Sequence, residues 1–182
     1  MGLPRTPSQT VGPFFSFALP YEGGPQVVAP GTPGAIRIEG RLLDGRGQHV
    51  PDGLIEILQA DPSGRYAGPN GDLGAFRGFA RCKTGSEGEF SFLTVKPGQV
   101  PYPDGRLQAP HIEVLVFSRG LLKHLVTRIY FPDEEAANAA DPVLSSIPEP
   151  DVRSTLVARG EGGVLVFDIH MQGEGETAFF AT

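Results

Sequence analysis

The chain is cut into short pieces by its own punctuation. It carries 25 glycines and 18 prolines among 182 residues, with no repeat period. That mix points to many turns between short strands rather than to long helices. The pieces between the breaks behave accordingly. Ile36 to Leu43 alternates apolar and polar residues, Leu54 to Ala60 is mostly apolar, and Gly78 to Lys83 is a short strand candidate. Glu89 to Val95, His111 to Phe117, His124 to Phe131 and Val164 to His170 complete the set. Asp44-Gly45-Arg46-Gly47, Pro51-Asp52-Gly53, Asp61-Pro62-Ser63-Gly64 and Ser86-Glu87-Gly88 are the turns. The texture changes only late, where 133–140 and 149–159 read as short helices, the first with acidic residues at its start as the helix dipole favours.

The expected architecture is all-β: a two-sheet β-sandwich with an extended N-terminal arm and a short helical insertion near the C-terminus. One domain over 1–182 is expected, with the arm at 1–35, the sandwich at 36–131 and 164–182, and the insertion at 132–163. The arm is held extended by Pro7 and Pro13, yet it carries Phe14 and Phe15 side by side. A solvated tail gains nothing from two aromatic rings, so the arm is expected to lie on its own core or on another chain.

Charge and cysteine content narrow the function. A formal net charge of −6, with no basic run, argues against nucleic-acid binding. Cys82 is the single cysteine, which rules out an internal disulfide, fits a reducing compartment and reads as a buried thiol. The N-terminus has no apolar run of signal-peptide length, and no stretch approaches the roughly 20 apolar residues of a membrane span. A cytoplasmic protein that works off the membrane is expected. There is no glycine-rich phosphate loop and no nucleophile elbow.

The chemistry gathers on one strand. In Gln108-Ala109-Pro110-His111-Ile112-Glu113-Val114-Leu115-Val116-Phe117, alternation puts Ile112, Val114 and Val116 on one face and His111 with Glu113 on the other, about 7 Å apart. Together with Tyr66, just past a turn, and Tyr102, in a Pro-Tyr-Pro loop, they are either part of a metal site or ordinary strand-face and loop-end residues. Arg119 closes the same strand. It is either a surface residue or a bidentate fork for a substrate carboxylate.

Five segments carry a family resemblance. They are Thr6-Pro7-Ser8-Gln9-Thr10-Val11-Gly12-Pro13-Phe14, Ile57 through Tyr66, Thr94-Val95-Lys96-Pro97-Gly98, Ala109-Pro110-His111-Ile112 and Thr127-Arg128-Ile129-Tyr130-Phe131. In this order and spacing the chain resembles the intradiol ring-cleaving dioxygenases, above all their protocatechuate-cleaving branch, which is built from homologous alpha and beta chains. The resemblance implies ring opening of 3,4-dihydroxybenzoate by O2 and a ferric ion, Fe(3+), held by two tyrosines and two histidines of the beta-type chain. Here Tyr66 matches the first tyrosine and Tyr102 matches the second loosely. His111 matches one histidine, Glu113 stands at the other, and Gln108 stands where the beta-type chain has an arginine. A third anionic ligand disfavours a catecholate dianion on the metal.

The resemblance therefore implies an alpha-type chain with no metal of its own and no catalytic residue, whose C-terminal segment Gln172 to Phe180 also looks alpha-type. The iron belongs to a homologous beta chain. This chain supplies a wall of the substrate site through Arg119, in a Phe-x-Arg-Gly segment, and through the arm around Thr10 and Gly12. A self-sufficient dioxygenase using Tyr66, Tyr102, His111 and Glu113, and a non-enzymatic binding module, are the two rival expectations.

Overall fold

The computed structural model describes residues 6–68 and 76–181. In chain order the elements are α1 (Phe15–Ala18), β1 (Ala35–Leu43), β2 (Leu54–Gln59), β3 (Phe79–Lys83), β4 (Glu89–Val95), β5 (Val100–Pro101), β6 (Leu107–Gln108), β7 (His111–Phe117) and β8 (Leu125–Tyr130). Then come α2 (Glu135–Ala140), a single 3-10 turn (Leu144–Ser146), α3 (Pro150–Ser154), β9 (Arg159–Glu161), β10 (Val164–Val166) and β11 (Ile169–His170). Among the described residues no helix is long and apolar enough to cross a membrane.

Two sheets form the body. In one, β1 runs antiparallel to β4 on one side and parallel to β10 and then β11 on the other, with β9 beyond β10. The other is the antiparallel order β3-β2-β7-β8. A small ribbon, β5 with β6, stands apart. Period-two alternation aims Ile38, Leu42, Phe90, Phe92, Leu165 and Ile169 of the first sheet at Ile55, Ile57, Ala80, Ile112, Val114 and Val116 of the second. These side chains are almost wholly buried. At about 25 cal/mol per Å² of apolar area removed from water, this shared layer is the main stabilising term of the body.

Several elements differ from expectation for visible reasons. The final strand is two strands, because Phe167 and Asp168 interrupt it. The Asp168 carboxylate there accepts the Arg41 N–H at 3.0 Å in place of a backbone carbonyl, and a side chain at Gly40 would collide with the Phe167 carbonyl. The second helix stops at Ser154 rather than at Arg159. Tyr130 claims the chain beyond it: the Tyr130 N–H donates to the Leu156 carbonyl at 2.8 Å, and the Ala158 N–H donates to the Tyr130 carbonyl at 3.0 Å. The proline-rich stretch before β7 folds back as the β5–β6 ribbon around the Asp104-Gly105 turn, where a loop was expected. Cys82 is half-buried, packed against the core, and burial raises its thiol pKa.

The arm carries one buried ring and two exposed ones. Phe15 is buried in this chain, while Phe14 and Phe17 are about two-thirds exposed and stack edge to face at 5.3 Å. Arg81 of β3 anchors the arm by donating from Nη1 to the Leu19 carbonyl at 2.9 Å.

Candidate functional site

The site lies along β7, with different arrangements at its two ends. The strand starts on a buried frame. Asp141, wholly buried, accepts the Ala109 N–H at 2.7 Å on one carboxylate oxygen. Its other oxygen accepts the Tyr130 hydroxyl at 3.2 Å and the Val143 and Leu144 N–H groups at 2.8 Å each. His111 Nδ1 bonds the Ala109 carbonyl at 2.7 Å, so Nδ1 carries the proton and Nε2 faces outward. Nε2 is buried, makes no hydrogen bond and lies 3.6 Å from Glu113 Oε1.

Glu113 has a nearer partner. Cross-strand register sets it opposite Arg128 of β8, and Arg128 Nη2 reaches Glu113 Oε1 at 2.7 Å. Nη1 of the same guanidinium donates to Gln108 Oε1 at 2.8 Å and to the Tyr130 hydroxyl at 3.3 Å. The Phe180 ring lies 5.6 Å away. Burial works against charge on both Glu113 and Arg128. Their mutual field and the contacts with His111 and Tyr130 outweigh it, so Glu113 sits below the usual carboxylate range and Arg128 above its ordinary value. Gln108 and Glu113, the two residues at which the sequence departs from an iron-binding pattern, grip one guanidinium.

Tyr66 is brought close enough to feel both charges. It is carried there by the Asp61 turn. Gly64 has φ of +80° and no room for a side chain against the Gln99 carbonyl. The Asp61 carboxylate accepts the N–H groups of Ser63 and Arg65 and the Ser63 hydroxyl. Burial and the Glu113 carboxylate raise the Tyr66 phenol, with Arg128 pulling the other way. Tyr102 stands in the turn of the β5–β6 ribbon: its ring lies 5.9 Å from the Arg106 guanidinium, and its N–H donates to the Arg106 carbonyl. These residues do not fit a ferric ion as they stand. A metal on Glu113 Oε1 would lie within about 5 Å of a guanidinium, a repulsion on the order of 10 kcal/mol for a trivalent ion.

The far end of β7 is open. Arg119 is largely exposed, and its Nε pairs with the Asp52 carboxylate. The next residue meets the arm: the Gly120 N–H donates to the Thr10 hydroxyl at 3.3 Å. Gln9 and Val11 of the arm, with Phe117, Leu121, Leu122 and His124, line a cleft of about 350 Å³ beside it. Gly12 follows in the arm, its Cβ position clear of this chain. The fold thus brings Thr10 to the Arg119 loop and brings Tyr66, His111 and Glu113 together; it leaves Tyr102 on the ribbon. Sequence reasoning missed Arg128 and Asp141. The signal for Arg128 was present, since the alternation of Thr127-Arg128-Ile129 puts an arginine on the face that Glu113 occupies if the two strands pair.

A dioxygenase family model matches residues 11–173. The chain belongs to the intradiol dioxygenase family, whose members depend on iron. It is 43% identical to the protocatechuate 3,4-dioxygenase alpha chain of Burkholderia cepacia over 98% of each chain, and 42% identical to that of Pseudomonas putida over 98% of this chain and 96% of that one. With the beta chain of the Burkholderia cepacia enzyme, identity is 34% over 78% of this chain and 66% of that chain. The crystal structure of a 3-chlorocatechol 1,2-dioxygenase from Rhodococcus opacus shares the fold, with a TM-score of 0.63 and 17% identity over 80% of this chain and 62% of that one.

Proposed function

We propose that this chain is the alpha-type subunit of a two-chain, O2-dependent intradiol dioxygenase that opens 3,4-dihydroxybenzoate to 3-carboxy-cis,cis-muconate. The iron sits in a homologous beta chain, and both act in the cytoplasm. The observation that carries this reading is the Glu113–Arg128 pair at 2.7 Å. It takes up the carboxylate beside His111 within this chain, so in this reading the chemistry sits in a partner. The near-full-length likeness to alpha chains, greater than that to a beta chain, supports it.

In this reading the far end of β7 is this chain's contribution to the substrate site. Arg119 presents a fixed positive charge to the carboxylate of the substrate, Asp52 holds its side chain until the substrate arrives, and Thr10 and Gly12 form wall with the arm. Phe14 and Phe17 are the apolar surface that the partner covers. The test is to purify the chain alone and after co-expression with a beta chain. Ferric-tyrosinate colour and ring cleavage in the mixture alone are the expected result. Colour in the lone chain supports a self-sufficient dioxygenase instead, and a chain that takes no partner and no colour is a binding module.

A further inference from the structure

The cluster at the start of β7 holds more polar groups than a structural ion pair needs. His111 Nε2 is buried, without a hydrogen bond, and 3.6 Å from Glu113 Oε1. Tyr66 lies within the field of the same carboxylate. An imidazole nitrogen and a carboxylate oxygen 3.6 Å apart are two donors of the kind that a borderline divalent cation takes. The cation present is the guanidinium of Arg128, 2.7 Å from Glu113, and it is not loosely placed. Gln108 Oε1 accepts from it at 2.8 Å, the Tyr130 hydroxyl at 3.3 Å, and Tyr130 is fixed in turn by buried Asp141.

We propose that Arg128 is a built-in cation: it neutralises the His111–Glu113 pair and closes it to metal ions, and Gln108 and Glu113 serve to hold it there. The inference concerns this chain alone and does not rest on the two-chain reading above. A guanidinium suits the task because it stays charged at any working pH and its planar fork serves two acceptors at once. Glu113 and Gln108 supply those acceptors from opposite sides of the start of β7. The proposal explains why Gln108 is nearly buried with its amide oxygen on Arg128 and its amide nitrogen on the Pro101 carbonyl at 3.3 Å.

The experiment uses the full-length chain and zinc ion, followed by thermal unfolding and equilibrium dialysis. Arg128→Ala should lower Tm by roughly 10 °C, because it leaves Glu113 buried without its partner. Zinc at about 100 µM should restore several degrees and bind one ion per chain in that variant, as expected for ligand linkage. It should do neither in the unsubstituted chain. Adding His111→Ala should abolish the zinc response. A folded Arg128→Ala protein indifferent to zinc, or an unsubstituted chain that binds zinc equally well, overturns the proposal. If Arg128→Ala yields no folded protein even with zinc, the pair Glu113→Leu with Arg128→Met decides. It should fold with Tm within a few degrees of the original, because each charge is there for the other. A pair variant no more stable than Arg128→Met alone overturns the proposal.

Discussion

Two arginines flank β7, Arg128 across from its start on β8 and Arg119 just past its end, and they are held in opposite ways. At the near end Arg128 has a side chain only 15% exposed and partners on Glu113, Gln108 and Tyr130. At the far end Arg119 is 70% exposed and pairs with Asp52 beside a cleft that the arm helps to line. A guanidinium whose donors are spent inside its own chain is part of the structure. One that stands in water with a single carboxylate partner is available to a ligand. The contrast is between a buried arginine opposite the start of β7 and an exposed one just past its end.

The sharpest break in that comparison comes from Arg128→Met. Removing one partner of a buried pair should destabilise the fold by about 3–5 kcal/mol, read by chemical denaturation. A loss below about 1 kcal/mol would make the near end no different from a surface pair. Arg119→Leu should do the reverse. It should leave stability within about 0.5 kcal/mol and raise KM for 3,4-dihydroxybenzoate several-fold or more in the assembled enzyme. Iron content should not change, since a charge-assisted hydrogen bond of roughly 1.5–3 kcal/mol is lost. An unchanged KM removes Arg119 from the substrate site.

The Asp61 turn, which delivers Tyr66 to the near end, gives a pH handle. Burial alone would raise the Asp61 carboxyl. Hydrogen bonds from the Ser63 hydroxyl, from the backbone N–H groups of Ser63 and Arg65 and from the Arg65 side chain hold it down at about 2. A carboxyl depressed in the folded state contributes stability above its unfolded pKa, and that stability is lost as pH falls through the folded value. About 2 kcal/mol should therefore be present at neutral pH and drain away between about pH 5 and pH 2. Asp61→Asn should flatten that part of the curve of unfolding free energy against pH. The smallest effect is expected from Thr10→Val, which removes the acceptor for the Gly120 N–H. It should cost roughly 0.5–1.5 kcal/mol at most, seen as faster proteolysis of the arm with the body intact.

Much of the body could be read before any coordinates, because its strands are simple. Apolar residues recur at alternate positions, Phe90 and Phe92 in Glu89 to Val95 and Ile112, Val114 and Val116 in His111 to Phe117, and both segments appear with the expected bounds. The misreadings fall where side chains, not backbone pattern, decide the structure. Asp168 splits the last strand by taking the Arg41 N–H, a contact between residues far apart in sequence. Tyr130 ends the second helix early by bonding the chain beyond it. At the candidate site the residues of β7 could be named in advance, but Arg128 could not be weighed, because its role depends on the register of β7 against β8. The Pro-Tyr-Pro setting of Tyr102 does not announce that the ribbon sets its ring 5.9 Å from the Arg106 guanidinium. The arm's double aromatic was read as one unit, although one turn of helix sends Phe15 inward and Phe14 outward.

The parallel pairing of β1 with β10 and β11 has a consequence for synthesis. A ribosome delivers β1 and β4 early, and they form an antiparallel pair at once, but the other edge of β1 has no partner until residues 164–170 emerge. At roughly 5–20 residues per second, the nascent chain spends several seconds with an open strand edge over Ile38 and Leu42. Such an edge invites pairing with a neighbouring polysome-bound chain. Loss of the last twenty or so residues would then not trim a tail: it would leave the first-made strand of the sheet permanently unfinished.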